Sequence, residues 1–277
     1  MPKGYAIHIG LNFVDPQFYD GEWDGKLNFC VKDAEAMADI TKSKDYEETI
    51  PLHNENATRE KVGRALVLMS EQCQPEDILV LTYSGHGGSL PDLNGDEEDK
   101  VDETWCLYNG HLIDDELNNL YALFQEGVRI FVVSDSCHSG TVTRYQPSRI
   151  DALFEEMIKK SGLEQKSMSP HDARLAYLKN KEYYDAILKA DKTDLSEVKA
   201  SVKLLSGCQD NQKSYEGWGH GVLTERILET WDDGNYHGNY KRFHKRIVAE
   251  MPDYQSPNLF DTGKKNPAFD AQTPFEV

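Results

Sequence analysis

Ile78-Leu79-Val80-Leu81-Thr82-Tyr83 running into Ser84-Gly85-His86-Gly87-Gly88, and Val128-Arg129-Ile130-Phe131-Val132-Val133 running into Ser134-Asp135-Ser136-Cys137-His138-Ser139-Gly140, decide the fold. Each begins with a short, nearly unbroken apolar run and ends in small, polar, reactive residues. Such runs are strands buried on both faces. Tyr5 to Ile9 and Val202 to Leu205 read the same way, and Thr49 to Leu52 is a weaker example. Helical spacing falls between them. Ala34, Met37 and Ala38 share a face after Asp33; Thr58 is placed to cap a helix bearing Val62, Ala65, Leu66 and Met69; Asp114 to Phe124 is a third. Strand alternating with helix predicts an α/β fold, a mostly parallel central sheet with helices on both faces. Ligands of such sheets bind beyond the carboxyl ends of the strands. That is where these two runs turn reactive.

From about 144 to 200 the pattern becomes helical. Ser148 is placed to cap a helix carrying Leu153, Phe154, Met157 and Ile158, stopped by Gly162, and Ser169-Pro170 opens another. The expectation is one domain over 1–277, with a helical insertion at about 144–200 and an irregular tail from about 252. Hydrophobic residues at 39% and charged residues at 28% place the chain among soluble globular proteins. No apolar run reaches the length of a membrane span, and the N-terminus does not read as a secretory leader, so a cytoplasmic location is expected. The five cysteines include no C-x-x-C pair, which argues for thiols in a reducing compartment and against a zinc ribbon. A net charge of −18 disfavours nucleic acid and anionic membrane as partners and favours basic ones.

A thiol becomes a good nucleophile at neutral pH beside a base, and an imidazole at the end of the next strand supplies one. Cys137 is therefore the candidate nucleophile and His86 its base. The glycines beside His86 let backbone N–H groups approach a substrate carbonyl, so Gly87 and Cys137 N–H form a candidate oxyanion hole.

Tyr83-Ser84-Gly85-His86-Gly87-Gly88 with Asp135-Ser136-Cys137-His138-Ser139-Gly140 resembles the metacaspases and their bacterial relatives among the caspase-like peptidases. Leu27 to Asp33, Gly110 to Leu117 and Ser206 to Gln212 resemble further segments of that family, in the family's order. The resemblance implies a caspase-like three-layer sandwich and peptide-bond hydrolysis through a thioester on Cys137. It implies cleavage after Arg or Lys, on protein or peptide substrates with a basic P1 residue. Carried over, Asp33 and Asp135 are the carboxylates of the S1 pocket, lined also by Ser84 and Cys30. A desolvated guanidinium or ammonium needs such partners.

Asp92 to Glu103 nearly spells an EF-hand loop, but Glu97 stands where that loop needs glycine and no helix precedes it. The resemblance implies a different calcium site, from Asp102, Asp114 and Asp115. Its fourth carboxylate is replaced by Arg144, a cation that opposes calcium. The reading is thus of no required cofactor, with calcium as a candidate metal ligand. The insertion carries Arg144, Arg149, Lys159, Lys160 and Lys166, and is expected to cover the cleft or to be cut by the chain itself. An activator protein or ligand would then dock on the domain. Two rival readings are a catalytically silent caspase-fold binding module and a calcium-binding acidic protein without activity. Transpeptidation is an enzymatic variant of the first reading, since an acyl-enzyme can pass to an amine.

Overall fold

The computed structural model describes residues 1–93, 101–137, 157–158, 160–189, 197–209, 212–217 and 219–277. The strands are β1 (Gly4–Gly10), β2 (Glu48–His53), β3 (Ile78–Ser84), β4 (Gly87–Pro91), β5 (Val101–Leu107), β6 (Gly110–Ile113), β7 (Arg129–Asp135), β8 (Glu164–Gln165), β9 (Ser201–Ser206), β10 (Tyr215–Gly217), β11 (His220–Gly221) and β12 (Asn258–Gly263). The helices are α1 (Cys30–Ser43), α2 (Arg59–Gln72), α3 (Asp114–Tyr121), α4 (Pro170–Lys179), α5 (Lys181–Leu188), α6 (Val222–Trp231), α7 (Tyr240–Glu250) and α8 (Pro267–Ala271).

Six strands form the central sheet in the order β12-β9-β7-β3-β1-β2. All neighbours are parallel except β12, which runs antiparallel to β9. The apolar runs alternate between two cores, as side chains on a pleated strand must. Ile7, Ile9, Leu79, Leu81, Ile130 and Val132 join Val62, Leu66 and Met69 of α2 and Leu117 and Tyr121 of α3 on one face. Ala6, Val80, Phe131 and Val133 join Met37 and Ile40 of α1, Ile227 of α6 and Phe243 of α7 on the other. The α/β sandwich expected from the sequence is therefore the fold. Local signals act as read: Thr58 Oγ1 accepts from Lys61 N at 3.3 Å to start α2, and Ser169 Oγ accepts from Asp172 N at 3.1 Å to start α4.

Two features depart from expectation. The tail is not irregular throughout: Asn258–Gly263 forms the edge strand β12, and Pro267–Ala271 forms α8. Its turn-rich composition hid a strand whose outer edge meets solvent and tolerates polar residues, while Leu259 packs on the core. Inside the insertion, Glu164–Gln165 is a strand, pairing antiparallel with β10. The Ser148 helix start, Leu153, Phe154 and the basic residues Arg144, Arg149 and Lys159 lie outside the described residues. No helix among the described residues is long and apolar enough to cross a membrane.

Candidate active site

Register brings the reactive segments together. In the parallel pair β3–β7, Ser84 lies opposite Asp135. His86 and Cys137 each follow two residues later, so both emerge at the same end of adjacent strands, which lie about 4.8 Å apart. Contact between the loops is tight enough to demand glycine: a Cβ on Gly87 would overlap the Cys137 carbonyl. Cys137 Sγ lies against the Ser214 backbone, accepting from its N–H at 2.8 Å and facing its carbonyl oxygen at 3.3 Å. The His86 ring lies edge-on to Trp23, with ring centroids 5.1 Å apart. It sits beside backbone groups of Gly25 and Ser167 without closing a short hydrogen bond to either. Burial, and then the Lys166 cation, lower its pKa to about 4, so it is a neutral imidazole at pH 7.

Asp33, Asp135 and Ser84 meet in one buried pocket, and a residue of the chain itself occupies it. Lys166 Nζ reaches Asp33 Oδ2 at 3.1 Å, Asp135 Oδ2 at 3.1 Å and Ser84 Oγ at 2.9 Å. The lysine side chain is 0% exposed and both aspartates 1%. Burial alone would deprotonate the lysine, but Asp135, Asp33 and Glu216 hold its pKa well above the ordinary value. Burial likewise pushes Asp33 toward its neutral form. Lys166 and hydrogen bonds from His220, Ser84 and Gly221 outweigh that and leave its pKa lowered. Asp135 is fixed by Ser214 Oγ at 2.9 Å and Thr224 Oγ1 at 2.9 Å. Cys30 forms the wall rather than a contact: its thiol faces Glu216 Oε2 at 3.7 Å, and burial pushes its pKa up, keeping it neutral.

The Lys166 backbone is placed as its side chain is. Its carbonyl accepts from Gly87 N at 3.1 Å and from Cys137 N at 3.1 Å, the two donors expected of an oxyanion hole. Its N–H donates to Ser214 O at 2.9 Å, extending the β8–β10 ladder. The segment around Lys166 therefore lies across the site as an added strand, the way extended peptides bind sheet edges.

Several residues here were not singled out in the sequence. Glu216 is buried and holds the backbone that leads into α1, whose N-cap Phe29 makes no side-chain capping hydrogen bond. It accepts from Asn28 N at 2.6 Å and Phe29 N at 3.0 Å. His220 Nδ1 and Gly221 N bind Asp33 Oδ1 at 2.9 and 3.0 Å. Their local sequence carries no motif; they matter because the β10–β11 turn folds back onto α1. Away from the pocket, Asp102, Asp114 and Asp115 each bring a carboxylate oxygen to within 4.8 Å of the others. The near-EF-hand positions 94–100 lie outside the described residues.

A fold with a thiol and an imidazole at paired strand ends, over an acidic pocket, defines a class, and the family comparison agrees. Residues 5–146, half of the chain, match the family model for the metacaspase, peptidase C14 domain, and the chain belongs to that family. Metacaspase-1A of Aspergillus niger is 33% identical over 153 residues, covering 50% of this chain and 36% of that protein. Metacaspase-1 of Pyricularia oryzae is 36% identical over 155 residues, covering 50% and 37%. The chain thus spans little more than a third of the length of these curated relatives. The crystal structure of protein GSU0716 from Geobacter sulfurreducens is similar over 100% of this chain and 99% of its own, at 46% identity and a TM-score of 0.88. Caspase-1 from Spodoptera frugiperda shares the fold, with a TM-score of 0.51 at 10% identity.

Proposed function

We propose that this chain is a cysteine endopeptidase that cleaves after Lys or Arg and is held latent by its own Lys166. The observation that carries the reading is the position of Lys166: its ammonium lies between two buried carboxylates while its carbonyl lies on the N–H groups of Gly87 and Cys137. A substrate residue would adopt that pose. Cys137 Sγ attacks the carbonyl carbon, and the two N–H groups take up the charge developing on oxygen. His86 accepts the thiol proton and delivers it to the leaving amine. Water then hydrolyses the thioester. Buried negative charge selects a cation at P1 and rejects Asp, which would place a third carboxylate beside Asp33 and Asp135.

Calcium belongs to the proposal as a ligand of Asp102, Asp114 and Asp115. Three clustered carboxylates repel one another, and an oxygen-only donor set suits this hard cation. Bound there, calcium would supply charge neutralisation between β5 and the start of α3.

The test is a positional-scanning peptide library applied to Lys166→Ala, with Cys137→Ala as control, in calcium and in chelator. Cleavage after Lys and Arg by the first protein and none by the second is expected. Efficient cleavage after Asp contradicts the pocket assignment.

A further inference from the structure

The two sides of the Lys166–Ser167 bond are anchored independently. Upstream, Glu164 and Gln165 pair with β10, and Lys166 fills the acidic pocket. Downstream, Met168 N donates to Gly87 O at 2.8 Å, and its side chain, 1% exposed, joins the main core. Ser169 then caps α4, whose Ala173 and Ala176 lie in the same core. A further tie holds the next helix, where Tyr184 OH of α5 accepts from His111 N of β6 at 3.0 Å. Cutting the bond would remove none of these contacts.

A cut by Cys137 after Lys166 follows from the peptidase reading; beyond it, we infer that the Ser167 amine reverses the attack, so that the chain reseals itself. This activity is acyl transfer to an internal amine, and it rests on the peptidase reading above. In the forward step the Cys137 thiol proton passes to His86 and a Sγ–C bond forms to the Lys166 carbonyl carbon. The C–N bond to Ser167 then breaks, and His86 gives the proton to the departing nitrogen. In the reverse step the Ser167 amine attacks the thioester and yields its proton to His86. The amide reforms, and the sulfur leaves and regains its proton. No other reactant is needed.

The balance between resealing and hydrolysis follows from placement. A reactant held in position competes as though present at about 10⁵ M or more. Ser167 precedes an anchored Met168 by one residue, so its amine cannot diffuse away. Water has poor access, since Cys137 is 2% and His86 7% exposed. A free peptide substrate has no such tether on its leaving half, so its thioester goes to water. Pulling Met168 and α4 away from β4 would convert the internal reaction into a permanent cut.

Hydroxylamine at neutral pH is the probe. It intercepts a thioester as a hydroxamate, and the full-length chain and its Cys137→Ala variant are incubated with and without it. Expected for the unmodified chain is an intact product without hydroxylamine and, with it, a fragment ending in Lys166 hydroxamate that exceeds any fragment ending in the free acid. Cys137→Ala gives neither. Met168→Ala shifts the outcome toward a free-acid cut without hydroxylamine. Two results overturn the inference: free-acid cleavage at the same rate with and without the trap, or no hydroxamate in a chain whose Lys166→Ala variant cleaves lysine reporters. If Lys166→Ala cleaves no reporter, it is the peptidase reading that falls.

Discussion

Gly87 shows how much chemistry depends on a missing Cβ. Its N–H reaches the Lys166 carbonyl only because nothing projects toward the Cys137 carbonyl. Gly87→Ala is expected to lower kcat on a lysine reporter, in the Lys166→Ala background, by about 100-fold or more, the order of an oxyanion donor lost. Asp135→Asn in the same background is expected to cost about 100-fold in kcat/KM, mainly through KM, as when one partner of a buried charge pair is removed. Steady-state kinetics check both. Cys137, His86, Asp33 and Asp135 were legible because they stand in local motifs or beside one. Lys166 was visible only as one of several basic residues in the insertion. Nothing local distinguishes it, since its role arises when β8 lies along β10. Glu216 and His220 were invisible for the same reason: their partners, Asn28 just before α1 and Asp33 in its first turn, lie more than 180 positions away in the chain.

At the scale of elements, the central strands were legible because both faces are buried, which forces continuous apolar runs. The sheet β4-β5-β6 was not. β4 begins with two glycines, and β5 carries Asp102 and Glu103, a composition that reads as loop. This small sheet joins the two sites. Gly87 pairs with Trp105, and Leu90 pairs with Asp102 three positions along the same ladder. The Trp105 ring stacks on Tyr83 at 4.5 Å and donates from Nε1 to Ser134 Oγ at 3.0 Å, three residues before Cys137. Calcium at Asp102, Asp114 and Asp115 is therefore expected to stiffen the strand that holds Gly87, the proposed oxyanion donor. Calorimetry should detect calcium binding that Asp114→Ala abolishes, with a parallel rise in lysine-reporter cleavage. Activity unchanged by excess chelator counts against this link.

For the whole molecule, three buried histidines set the acid limit. Burial lowers the pKa of His8 to about 3, of His111 to about 3 and of His86 to about 4. His8 is held between Thr82 and Thr41 hydroxyls at 2.8 and 3.0 Å. In the unfolded chain these rings protonate near pH 6.5, so below that pH the unfolded state binds more protons. Stability present at neutral pH is lost as pH falls, by up to about 1.4 kcal/mol per pH unit for each ring. The loss continues to about pH 4 for His86 and about pH 3 for the others. Urea unfolding midpoints measured from pH 7 down to 4 should fall steadily; a flat profile contradicts neutral burial.

The central claim is that Cys137 and an acidic pocket act together on a lysine. The direct measurement is labelling of the Lys166→Ala protein by paired electrophilic peptides ending in Lys or Asp, with the modified residue located by mass spectrometry. The lysine reagent should attach to Cys137 and the aspartate reagent should not. Equal labelling by both, or attachment of the lysine reagent elsewhere, would contradict the account.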